Sequence, residues 1–149
     1  MAITADGWYT LTLEKFLLLD SNVVSFEAAT LKYALGDNTA TPNFDTDEFR
    51  NDATGVSEMT GTGYTAGGDP ITSNTVTISP AATLMFDFAD PQWTTLTTGV
   101  DAMCGMVCSG NATSSADELY LLHDFVTGVS TTAGTLDVTI AATGALTFT

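Results

Sequence analysis

Beyond Arg50 this chain has no lysine and no arginine: Lys15, Lys32 and Arg50 are its only basic side chains, against eighteen Asp and Glu along 149 residues. A fold made from such a chain has few ion pairs to draw on. Its stability must come from apolar burial and backbone hydrogen bonds. The formal net charge is −15. A surface of that sign repels phosphate backbones and anionic lipid heads, because binding either requires cations to displace counterions. It also lacks the Arg and Lys clamps of most phosphoryl-transfer sites. Neither a nucleic acid nor a membrane is expected as a partner.

The length fits a single domain over residues 1–149, able to bury roughly 70% of the extended chain's surface. Hydrophobic residues make up 44%, enough for one core. The polar remainder is dominated by threonine, which suits a pleated, half-wet surface and disfavours helix. The expected class is mainly β: a β-sandwich or jelly-roll-like domain over residues 22–149, preceded by an N-terminal arm and helix in residues 1–20. Sandwich and closed barrel share the same alternation and are not separated by it. The opening residues have no basic stretch ahead of an apolar run, and residues 16–19 are far too few to span a bilayer. Synthesis and folding in the cytoplasm are expected. Cys104 and Cys108 on one strand would lie about 13 Å apart, too far for a disulfide. Two cysteines are also too few for a zinc site. Buried free thiols are expected.

Along the chain, Tyr9, Leu13, Phe16 and Leu17 follow helical spacing, with Asp6 as N-cap. Residues 30–35 read as a strand with Leu31, Tyr33 and Leu35 on one face. Gly36 opens a long acidic loop, residues 36–52, whose end fits one helical turn that dips Phe44 and Phe49 into the core. Residues 61–68 are glycine-spaced, and Asp69-Pro70 reads as a turn. Strands then follow at Val76 and Ile78; at Leu84, Phe86 and Phe88; over residues 101–107, apolar enough for cover on both faces; over residues 119–125; at Leu136, Val138 and Ile140; and at Leu146 and Phe148. At least six strands at roughly ten-residue spacing, with turn residues between, imply a sandwich or barrel.

Constellations that carry chemistry are weak. Gly61-Thr-Gly63-Tyr-Thr-Ala66 fits G-x-G-x-x-A formally, but no buried strand leads into it and Gly67-Gly68-Asp69-Pro70 breaks any following helix. A bulged strand with close backbone approach fits better. His123 is the only histidine, no nucleophile elbow accompanies it, and a structural role near the sheet edge is expected. Trp8 and Trp93 suit core anchors as well as a sugar cleft. Asp45, Asp47 and Glu48, with Asp37 and Asn38, could supply oxygen ligands for calcium, but the EF-hand spacing is absent and a solvated acidic loop is the expected reading. No catalytic, cofactor-binding or metal residues are assigned, and no enzymatic activity is expected.

Several segments together resemble a family of tailed-bacteriophage virion structural proteins, in particular head decoration or cement proteins. They are Trp8-Tyr9-Thr10, Lys32-Tyr33-Ala34-Leu35, Asp47-Glu48-Phe49, the Gly-Thr-Gly-Tyr-Thr-Ala-Gly-Gly run of residues 61–68, Phe86-Asp87-Phe88, Trp93-Thr94 and residues 120–125. The glycine run is the most specific. Asp69-Pro70 departs from the family pattern, where an apolar strand begins, and so does the acidic C-terminal half. The resemblance implies a viral protein of the capsid exterior that binds the major capsid protein as a trimer or dimer and performs no catalysis. Residues 1–7 and the loop 36–52 are the expected contact segments. The alternative is a tail-tip or fibre module that binds a host surface glycan through Tyr64 and the acidic loop.

Overall fold

The computed structural model describes residues 7–9, 11, 14, 18, 25–27, 30–39, 41–52, 58–78, 83–142 and 144–148; of Trp8, Thr147 and Phe148 it describes the backbone alone. It is mainly β. Among the described residues eleven strands occur in the order β1 (Gly7–Trp8), β2 (Lys32–Asp37), β3 (Gly61–Thr62), β4 (Asp69–Pro70), β5 (Thr75–Ile78), β6 (Leu84–Asp87), β7 (Gln92–Thr98), β8 (Ala102–Cys108), β9 (Leu119–Val129), β10 (Gly134–Asp137) and β11 (Leu146–Phe148). Their pairings are antiparallel. A five-stranded sheet runs β1-β9-β8-β2-β4, and two three-stranded sheets run β10-β7-β3 and β11-β6-β5.

The five-stranded sheet is covered on both faces, and period-2 alternation explains how. Leu31, Tyr33 and Leu35 of the β2 segment turn to one side, with Val107 of β8. There they meet Phe86, Phe88, Trp93, Leu96, Leu136 and Val138 from the two smaller sheets. Tyr33 lies 6.0 Å from Phe88 and 6.2 Å from Trp93 between ring centroids. These tilted aromatic contacts knit the sandwich core. Ala34, Cys104, Met106 and Cys108 turn to the opposite side, under Tyr9 and Phe44. On β9 the consecutive residues Tyr120 and Leu121 both face the inner core. The reason is a slipped register: Cys108 pairs with Leu119 but Val107 with Leu121, so one extra residue bulges out of the ladder.

Several expectations hold in position. Strands occur at Val76 and Ile78, at Leu84 and Phe86, over 102–107, over 119–125, at Leu136, and at Leu146 and Phe148, whereas Phe88, Asp101, Val138 and Ile140 lie just outside the strand ends. Others shift. The strand expected over residues 30–35 is β2 and extends through Gly36 to Asp37, which pair with Cys104 and Ala102. Asp69-Pro70, expected as a turn, is the edge strand β4 against Lys32 and Tyr33; an edge position is where proline's missing N–H is tolerated. Tyr9, expected on a helical stripe, follows β1 and is fully buried over the outer face, its N–H donating to the Tyr120 carbonyl at 3.4 Å. The expected helix falls mostly on residues outside those described, as does Asp6; Leu11, Glu14 and Leu18 are helical. The end of the acidic loop forms turns rather than a helical turn at residues 45–50. Strand β7 was not expected.

The glycine run works by close approach. Gly68 sits at φ 77°, and a Cβ there would lie 2.2 Å from the Tyr33 carbonyl oxygen. Gly68→Ala is therefore expected to destabilise the fold by about 1–3 kcal/mol through overpacking and left-handed strain. A urea unfolding curve reads this as a lower midpoint at unchanged slope; an unchanged midpoint would show that the backbones can part freely.

Candidate functional site

Among the described residues Arg50 is the one cation that the fold takes inside. Its side chain is 8% exposed, and that of its partner Asp117 is fully buried. Arg50 Nε donates to Asp117 Oδ2 at 2.6 Å, and Nη1 donates to Glu58 Oε2. The other Asp117 oxygen accepts from the Ser109 hydroxyl at 3.0 Å and from the N–H groups of Gly110 and Asn111 at 2.7 and 2.9 Å. Glu58 Oε1 accepts from the Tyr64 hydroxyl at 2.8 Å and from the Gly67 N–H. The Tyr64 oxygen in turn accepts the Leu35 N–H at 3.0 Å. Two carboxylates meet one guanidinium, and neutral donors stabilise the surplus negative charge.

This network fixes three loops at once. The Arg50 N–H donates to the Asp117 carbonyl at 2.8 Å and the Leu119 N–H to the Glu48 carbonyl at 2.9 Å, which pin the acidic loop beside β9. The Met59 N–H donates to the Leu35 carbonyl, also at 2.8 Å, beside the Gly36–Glu58 bridge. Burial opposes the charge of Arg50, but its hydrogen bond to Asp117 and the Glu58 and Asp117 charges outweigh burial and raise its pKa. Burial raises the Tyr64 pKa, helped by the Glu58 charge. Tyr64 is thus a neutral donor inside the network.

Two of the carboxylates weighed for calcium make local hydrogen bonds. Asp37 Oδ1 accepts from the Thr39 N–H and hydroxyl at 2.8 and 2.7 Å, and Asp47 Oδ2 from the Asn43 N–H at 2.8 Å. Among the described residues no group of three or more His, Cys, Asp and Glu is placed to hold a metal ion. Cys104 and Cys108 are buried free thiols. Burial pushes Cys104 up to about 12 and Cys108 well above its ordinary value, which leaves neither a nucleophile.

Among the described residues two features stand out as open to solvent. One is β5, the outer strand of its sheet, with Ile78 76% exposed beside partly exposed Val76 and Leu84. The other is a cleft between β9 and the segment after β10. Its inner pocket, about 200 Å³, is lined by Tyr33, Val107, Leu121, His123, Ile140 and Ala145 among others. The Tyr33 hydroxyl lies 3.0 Å from His123 Nδ1, and Phe125 meets the imidazole edge-on at 5.5 Å. Gly105 makes the pair feasible, since a Cβ there would fall 1.9 Å from the Tyr33 hydroxyl oxygen. His123 pairs with Gly105 of β8 just past the end of β1, whose described pairing with β9 stops at Leu122, so a place near the sheet edge fits the register. No nucleophile or acid completes a triad with it in the contacts among described residues. Of the tryptophans, Trp93 is a core anchor.

Sequence reasoning missed the Arg50 network because its members stand 8 and 67 residues from Arg50. One signal was present: a lone arginine in so acidic a chain. The cleft had no signal, because small residues at Ala141, Gly144 and Ala145 form its far wall. No family model, no curated protein and no solved structure matches this chain. Among the described residues no helix is long and apolar enough to cross a membrane.

Arg50→Met should cost about 3 kcal/mol, the low end for breaking a buried ion pair, because Asp117 keeps three other donors. Chemical denaturation measures it; a loss under ~1 kcal/mol would mean the network is not held as described. Asp47 and Asp69 add a pH dependence. Burial raises the folded-state pKa of both, Asp52 adding to it at Asp47 and Lys32 opposing it at Asp69. The folded state then binds more protons than the unfolded one, so stability falls as pH rises above the ordinary carboxylate value of 3.8. Asp47→Asn keeps an acceptor for Asn43 and should flatten that decline, read from urea midpoints between about pH 4 and pH 6.5.

Proposed function

We propose that this chain is a structural protein of a tailed-bacteriophage virion: a decoration or cement protein that binds the outside of the major capsid shell and stabilises it. The observation that carries this reading is the β5 edge. Thr75–Ile78 contains no charge and no proline, the two usual protections of an exposed edge. Among the described residues no further strand extends its ladder, and Ile78 and Val76 stand exposed beside it. Such an edge suits strand addition, in which main-chain hydrogen bonds give affinity and alternate side chains give selectivity.

The resemblance supports the same reading. Tyr33, Leu35, Phe86, Phe88, Trp93 and Tyr120, drawn from its segments, are buried framework residues, as expected for positions that define a shared fold. The chemistry of a shell protein is undemanding. Many weak joints on one particle act together, so each copy needs only modest affinity. A homo-oligomer, trimer or dimer, would gain further from this. The acidic exterior keeps decorated particles apart and off nucleic acid.

Counting copies in purified particles by quantitative mass spectrometry tests the reading. On the order of hundreds per particle are expected for a closed shell, against about a dozen or fewer for a tail position. Absence from particles, or a tail-like count, overturns it. Ile78→Glu removes an apolar contact of about 1.5–3 kcal/mol and should lower shell occupancy at least about tenfold, with the isolated protein's melting temperature nearly unchanged. Full occupancy of that variant would remove β5 as the contact.

A further inference from the structure

We propose that Gly7–Tyr9 is a strap that opens while the sandwich stays folded. Opening bares the outer apolar face of the five-stranded sheet, its two thiols and the edge of β9 at residues 120–122. The inference does not rest on the virion reading. Three features of the strap carry it.

The first is how little holds the strap by its main chain. β1 is two residues long and pairs with β9 at Leu121 and Leu122, although β9 itself runs for eleven residues. Tyr9 adds one further bond, its N–H reaching the Tyr120 carbonyl at 3.4 Å, which is long for an amide donor. A few such bonds contribute little net stability in water. Side-chain burial is what keeps the strap closed.

The second is that this burial is separate from the inner core. Tyr9 is fully buried and lies with Phe44 over Ala34, Cys104, Met106, Cys108, Leu119 and Leu122. The two rings are 5.3 Å apart, and a Cβ on Gly7 would come 3.3 Å from the Phe44 ring. None of these residues belongs to the inner cluster around Tyr33, Phe86, Trp93 and Leu96. Lifting the strap uncovers one face of the sheet and leaves the contacts of that inner cluster intact, the condition for a sub-global opening.

The third is a cost built into the closed state. The Tyr9 hydroxyl is buried with no hydrogen-bond partner among the described residues. Burial raises its pKa, with the Cys104 and Asp47 charges adding, so the phenol stays a neutral donor without an acceptor. Opening hydrates that hydroxyl and returns part of what closing gains. A phenylalanine would fill the same space without the cost.

Cys104 and Cys108 are the only cysteines, and both are fully buried in the layer under Tyr9. A thiol reagent such as DTNB therefore reports opening. Native protein in excess DTNB should label at a rate that hardly changes at low urea, because opening exposes little surface, whereas global unfolding accelerates steeply. Tyr9→Phe keeps the ring, removes the stranded hydroxyl and should slow labelling about five- to thirtyfold. Tyr9→Ala should speed it at least about tenfold. Gly68→Ala strains the fold at the Tyr33 carbonyl, away from the strap, and should leave the low-urea rate within about twofold. Labelling that requires global unfolding, or that Gly68→Ala accelerates in step with its loss of stability, overturns the strap as an independent unit. A Tyr9→Phe variant that labels as fast as the native chain, or a Tyr9→Ala variant that labels no faster, overturns Tyr9 as its costly cover.

Discussion

The fold turns on the burial of Arg50 between Asp117 and Glu58. In a chain with eighteen acids and three Lys and Arg, placing the only arginine inside makes the surface still more negative. It also removes a guanidinium from water, and that desolvation cancels much of the Coulomb gain. The value of the arrangement is positional. An apolar substitute would fill the space, but it would not select which loop lies against which. The guanidinium's fixed fork meets one carboxylate from the 109–118 loop and one from the segment before β3, and so sets the acidic loop in a single register.

That register is what gives the five-stranded sheet its second cover. Sandwich packing accounts for the inner face, but the outer face needs its own layer. Ala34, Cys104, Met106 and Cys108 form a thin apolar surface there. Tyr9 and Phe44, 5.3 Å apart, close it. Phe44 belongs to the loop that Arg50 holds, so the polar network and the outer apolar layer stabilise each other. The Tyr9 hydroxyl and Trp93 Nε1 find no hydrogen-bond partner among the described residues. Both rings were placed for their apolar bulk, at some polar cost.

How far this was legible in the sequence depended on whether alternation survived. Strands with clean period-2 patterns, such as Leu84-Met85-Phe86 and the doubly covered Ala102–Cys108, could be read directly. β7 could not, because Thr95 sits at φ 57°. The kink puts Trp93 and Leu96, three residues apart, into the same core. β4 was masked by its proline, which signals a turn unless the strand is known to lie at an edge. The candidate sites were less legible still. Glu58, Asp117 and Arg50 look like any solvated charges until long-range pairing buries them. Only the glycine run announced its role, since positive φ and backbone contact demand the same residue at Gly68.

The two open features also show how so acidic a chain keeps a bare edge from pairing with itself. Natural edge strands are commonly blunted by an inserted lysine or proline, and this region has no lysine to use. Here the protection comes from outside the strand. Glu27 Oε1 accepts the Val76 N–H at 3.4 Å, occupying one ladder donor on the outer side of β5. Repulsion between two bodies of charge −15 opposes the approach of a second copy, but only over roughly a Debye length, about 8 Å at physiological salt. A partner of opposite charge meets no such barrier, and the 3.4 Å bond from Glu27 is weak enough to exchange for a strand's carbonyl. The same negative surface thus leaves the edge easier to reach for a less acidic chain than for a second copy.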